Sequence, residues 1–242
     1  MSTQGNRCYT PHNMKSVGII GGVGPETSAQ FYLEVVFGCQ KRDTTHRPLI
    51  VMSSVPISYE LENDEIINQN LGKPSQDYLV TEAKRLEKSG VDFLVLPCNS
   101  LHVFIKQIRE SINIPALSIL EEVVKHIKKN GFGRVGLITT SATVKYKIYE
   151  NIFLENGIDF VVPTATEMTE MDKIISRLTN GVHLDSDRET LLSVIAGLKK
   201  QGVDAVALAC TDLQLLIPDN DDKTVFDTMR VLANATVDAI VK

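Results

Sequence analysis

The chain of 242 residues contains no apolar run near 18 residues, so no segment reads as a membrane span. It has no excess of basic charge either. Lys and Arg total 25 against 30 Asp and Glu, a net charge of −5, and they are scattered. That excludes an electrostatic footprint for nucleic acid or for an anionic membrane. There is no C-x-x-C, which argues against structural zinc, and no metal site is expected. The first 14 residues, MSTQGNRCYTPHNM, lack the apolar centre of a signal peptide and read as a disordered tail (1–14). Four cysteines in a chain of this length, Cys8, Cys39, Cys98 and Cys210, do not make a secreted disulfide scaffold. A cytoplasmic location with reduced thiols is expected. The remaining composition, 43% apolar and 23% charged, is that of a globular protein with one large or two small domains.

Short apolar runs alternate with amphipathic segments. Strands are expected at 16–21, 49–53, 93–96, 116–117, 135–139, 160–162 and 205–209. They are continuous in Val, Ile and Leu rather than alternating, as parallel strands covered on both faces are. The spacing of Leu101, Phe104, Ile105 and Ile108 predicts a helix that Asn99 or Ser100 would cap and that ends before Pro115. Strand–helix alternation predicts an α/β fold.

The chain also repeats itself. KRLEKSGVDFLVLPCNSLH matches AGLKKQGVDAVALACTDLQ, and SVGIIGGVGPETS matches RVGLITTSATVKY. The economical reading is two similar, open, parallel-sheet, Rossmann-like halves. The first takes 15–118 plus 219–242, and the second takes 119–218. Ligands of open parallel sheets bind beyond the carboxyl ends of the strands. Cys98 and Cys210 stand at equivalent strand ends, so two facing halves would bring them together across one cleft.

A single cysteine at such a place reads first as a buried core residue. Two at equivalent positions, each followed by small polar residues, read as a catalytic pair, one base and one acid. That is the equipment for moving a proton from one face of a carbon to the other. Asn99, Ser100, Thr211 and Asp212 suit helix caps, and the helix starts they mark also suit a substrate carboxylate. Gly22, Val23 and Gly24 form a poor dinucleotide fingerprint, because the third glycine is missing. Their reading is a backbone that approaches the cleft. The matching loop offers Thr139, Thr140, Ser141 and Thr143 as further donors. His102 either touches the cleft wall or holds the Cys98 region.

The segments GIIGGVGPETS, KRDTTHRP, LPCNSLH and ACTDLQ, in this order, resemble the aspartate/glutamate racemase superfamily, and its aspartate racemase branch most closely. The resemblance runs from about Ser16 to the C-terminus. It implies two α/β domains about a pseudo-twofold axis with the active site between them, a homodimer, a small amino-acid or carboxylate substrate, and no cofactor. It makes Cys98 and Cys210 the acid/bases and Asn99, Ser100 and Thr211 binders of the α-carboxylate beside the glycine loop. The sequence departs from the pattern at Asp212, where Glu is usual, and at Ser100. It also shows no basic residue in the loop after the second strand, where Tyr59 and Glu60 stand. Aspartate is therefore expected to be a poor substrate, and a neutral or cationic side chain would suit Glu60 better. Other reactions of the superfamily, a non-catalytic acid-binding role, and a metal held by Cys98, Cys210 and His102 are the alternatives.

Overall fold

The computed structural model describes residues 14–42, 46–218 and 221–242, so the expected tail up to residue 13 lies outside it. The central strands are apolar and buried on both faces, apart from Arg134 at the start of one of them. β1 (Val17–Gly21) carries VGIIG with every residue buried. β2 (Ile50–Ser54), β3 (Phe93–Val95) and β4 (Ala116–Leu117) complete a parallel sheet in the order β2-β1-β3-β4. β5 (Arg134–Ile138), β6 (Asp159–Val161), β7 (Ala205–Leu208) and β8 (Val225–Asp227) form a second parallel sheet in the order β6-β5-β7-β8. The order is the same once each strand is advanced by four, so the internal repeat is a repeat of topology.

The helices follow from apolar spacing and caps. They are α1 (Pro25–Arg42), α2 (Tyr59–Ile67), α3 (Lys73–Lys88), α4 (Ile105–Ser111), α5 (Ile119–Asn130), α6 (Ser141–Lys145), α7 (Glu150–Glu155), α8 (Ala165–Thr179), α9 (Asp185–Lys200) and α10 (Thr228–Val241). In α5, Ile119, Leu120, Val123, Val124 and Ile127 face the core, and the Ser118 side chain caps the start. α8 opens on a reciprocal capping box between Thr164 and Glu167. Such caps contribute about 1 kcal/mol each.

The repeated Lys-x-Gly-Val-Asp step has a structural reason in both halves. Gly90 and Gly202 end α3 and α9 with φ of 85° and 75°, a left-handed conformation that favours glycine. The aspartate two residues on then ties down the neighbouring central strand. Asp92 accepts from the Ser16 backbone N–H at 2.7 Å, and Asp204 accepts from that of Arg134 at 2.8 Å.

Two expectations are corrected. The expected helix from Ser100 begins as a 3₁₀ turn over Ser100–Phe104, and the Asn99 side chain does not cap it. The sequence repeat places the chain after residue 218 wholly in the first half. Yet β8 pairs with β7 in the second sheet, and only α10 returns to lie on α1 and α5. β8 is short, and its residues VFD follow a charged loop, so no apolar run marks it.

Candidate active site

In each sheet the strand order reverses between the first strand and the third, at β1/β3 and at β5/β7. Loops leave such a switch point in opposite directions and open a crevice. Here the four switch-point loops face one another. They carry Val23 and Gly24, Cys98 to Ser100, Thr140, and Cys210 to Asp212, all on the wall of a single cavity of about 30 Å³.

Cys98 is 8% exposed and lies 3.5 Å from the Ser100 hydroxyl. The backbone N–H of Leu101 also points at its sulfur. Cys210 receives the backbone N–H of Asp212 in the same way, and the Asp212 carboxylate lies 3.9 Å away. Neither cysteine is in a disulfide. The two sulfurs are thus held alike, each at the first turn after a third strand with an N–H donor that favours the thiolate. Burial works the other way. It pushes the Cys98 thiol up to about 11, with smaller contributions from the Glu65 and Asp212 carboxylates. Burial, and then Asp212, holds the Cys210 thiol well above its ordinary value.

Hydrogen bonds lock the two motifs together across the halves. Thr27 donates to an Asp212 carboxylate oxygen at 2.6 Å, and the Thr211 hydroxyl donates to the Pro97 carbonyl at 3.3 Å. The Asn99 side chain donates to Thr228 at 3.0 Å and accepts from the Tyr149 hydroxyl. Asn99 and Thr211 therefore line the cavity with side chains already partnered. Gly24 sits so close to Asp212 that a Cβ there would lie 2.6 Å from its oxygen, with φ of 72°. Only glycine fits that approach.

His102 does not reach the cavity. Its Nδ1–H donates to the Cys98 carbonyl at 2.6 Å, and the Ile119 backbone N–H donates to Nε2 at 3.0 Å. Burial pushes it down to about 4, so the ring is neutral. It braces the Cys98 loop against the start of α5, and with both nitrogens engaged it is not a metal ligand. Among the described residues, no group of three or more His, Cys, Asp or Glu is placed to hold a metal ion.

Of the other expected residues, Ser100 and Thr140 line the cavity, as does Thr143. Gly22, Thr139 and Ser141 do not. The Thr139 hydroxyl donates to Ala209, Gly22 donates to Ser28, and the Ser141 N–H donates to Asp172. Tyr59 is 79% exposed and Glu60 is also exposed, so neither faces the site. The same helix instead sends Glu62 and Glu65, each 5% exposed, onto the cavity wall with Ile66. The signal was present: α2 is a helix, so its inward face recurs every three to four residues. Read as a loop, the segment hid that periodicity. α8 adds Ile175 and Thr179 opposite. Burial raises Glu62 to about 6 and Glu65 to about 7.

Two like α/β sheets that meet at one cavity, with Cys98 and Cys210 both on its wall, have the architecture of a two-lobed α/β enzyme. The model of the Asp/Glu/Hydantoin racemase family matches residues 20–236, and the chain belongs to that family of isomerases. The broad specificity amino-acid racemase RacX of Bacillus subtilis is 26% identical over 233 residues, covering 91% of this chain and 96% of that one. The aspartate racemase structure from Picrophilus torridus is 27% identical, with a TM-score of 0.75 over 93% of this chain and 94% of that one. An aspartate racemase homologue from Pyrococcus horikoshii is 25% identical, with a TM-score of 0.72 over 93% and 98%. Among the described residues, no helix is long and apolar enough to cross a membrane.

Proposed function

We propose that this protein is a cofactor-independent amino-acid racemase in which Cys98 and Cys210 are the opposed acid and base. One observation carries the reading: two cysteines at equivalent strand ends share one cavity, each with a backbone N–H aimed at its sulfur. One thiolate takes the α-proton, and the opposite thiol protonates the other face of the planar intermediate. The roles swap in reverse. A high thiol pKa makes a scarce thiolate but a strong base, which suits a weakly acidic C–H. Negative charge that develops on the α-carboxylate meets preorganised N–H groups of the strand-end loops. The α-ammonium meets Asp212, which Thr27 holds in place.

The site is closed. A cavity of about 30 Å³ holds roughly two waters, less than an amino acid needs, so the lobes or α2 must part to admit substrate. Turnover in the cytoplasm as a homodimer belongs to the same reading. The broad specificity named for the Bacillus subtilis relative supports an amino-acid substrate wider than aspartate. The test is a panel of enantiopure amino acids incubated in deuterated water, with NMR for loss of the α-hydrogen. Exchange coupled to inversion is expected. Tight binding of an amino acid with no exchange would show a binding protein instead.

A further inference from the structure

The cavity wall has a charge imbalance that a simple amino acid does not correct. Glu62, Glu65 and Asp212 all line it, and no Lys, Arg or His does among the described residues. One carboxylate, Asp212, suffices for the α-ammonium. Glu62 and Glu65 then remain, on a different element, α2. Glu62 accepts from the Gly24 backbone, but its Oε1 is buried and has no hydrogen-bond partner. A buried carboxylate oxygen without a donor is costly, and a native site that keeps one has a use for it. Ser75 donates to Glu65 and fixes that side chain. Ile66 and Ile175 stand beside the two carboxylates and offer an apolar surface to a methylene chain. The upward pKa shifts of Glu62 and Glu65 have burial as their main cause, with neighbouring carboxylates adding to it. A bound cation would relieve both.

We infer that Glu62 and Glu65 form the side-chain subsite and select amino acids whose flexible side chain ends in a cation. This rests on the racemase reading and names its substrate class. The side-chain ammonium or guanidinium supplies the donor that Glu62 Oε1 lacks. A dicarboxylic amino acid would instead place a fourth carboxylate among three, which like-charge repulsion opposes.

The test compares L-lysine with L-norleucine, which has the same chain length without the nitrogen, and with L-glutamate. Full-length wild type, Glu62→Gln, Glu65→Gln and the double variant are assayed for α-hydrogen exchange in deuterated water and for binding by calorimetry. Wild type should favour lysine over norleucine in kcat/KM by about 10- to 100-fold, the worth of a charge-assisted hydrogen bond. Glutamate should be the poorest of the three. The double variant should erase most of the lysine-to-norleucine ratio, mainly through the KM for lysine. The ratio is read within one protein, so a partly misfolded variant does not distort it. A wild type that prefers glutamate, or variants that lose lysine and norleucine alike, would overturn the inference; the second outcome would mean the glutamates serve the α-ammonium or the fold. If no amino acid exchanges yet lysine still binds better than norleucine through these glutamates, the subsite stands and the racemase reading falls. If lysine shows neither exchange nor preferential binding, the subsite falls as well.

Discussion

Replacing either cysteine by serine isolates the acid/base step, because the side chain changes little in shape. In the substrate-free site, burial pushes the Cys98 thiol up to about 11. Removing its proton at pH 7 therefore costs about 5 kcal/mol, at about 1.4 kcal/mol per unit. A serine hydroxyl holds its proton about as tightly as water does, about 7 pKa units more tightly than a free thiol. That adds about 10 kcal/mol if burial acts alike on both. The stronger base recovers roughly half of this when the proton is about half transferred in the transition state. The net barrier rises by about 5 kcal/mol, a rate loss of roughly 10³ to 10⁴. Cys98→Ser and Cys210→Ser should each lose racemisation by that factor. Each sulfur serves one face of the α-carbon, so each variant should retain α-hydrogen exchange for one enantiomer, and the two should retain opposite ones. The assay is NMR of separate enantiomers in deuterated water. A variant that racemises near the wild-type rate would remove that cysteine from the mechanism. Retention of the same enantiomer by both would refute the opposed-face geometry.

Two further outcomes are expected. Glu65 has its folded pKa raised to about 7 from 4.5, so the folded state holds its proton more tightly than the unfolded chain does. The substrate-free protein should lose up to about 3 kcal/mol of stability as pH rises from 4.5 to 7, and Glu65→Gln should flatten that slope in urea titrations at pH 5 and 8. Asn99→Ala should cost about 1–3 kcal/mol in the same titrations, because it leaves the buried Tyr149 hydroxyl without its acceptor. Adding Tyr149→Phe should return part of that loss, which an unrelated packing defect at Asn99 would not allow.

Much of the scaffold was legible because it rests on local signals. Continuous apolar runs marked β1 to β7, and the repeated Lys-x-Gly-Val-Asp step marked where α3 and α9 turn into β3 and β7. The reasons are short-range: a glycine for a left-handed turn, an aspartate for strand N–H groups two positions on. The short β8 escaped because three residues with a charged approach carry no periodicity. Its place in the second sheet depends on pairing with β7, a contact distant in sequence.

The sequence by itself determined the α/β class, the duplication and the two equivalent cysteines, since each is a pattern of residue types along the chain. The tertiary structure decided which neighbours of those cysteines face the cavity. His102, four residues after Cys98 in the chain, turns into the fold as a brace, because both its nitrogens find backbone partners there. Tyr59 and Glu60 point to solvent, while Glu62 and Glu65, one turn further on, point inward. A helix shows its neighbours only one of its faces, and which face is chosen depends on elements such as α8 that lie about a hundred residues away in the chain. Proximity along the chain named the site, and packing across it assigned the side chains.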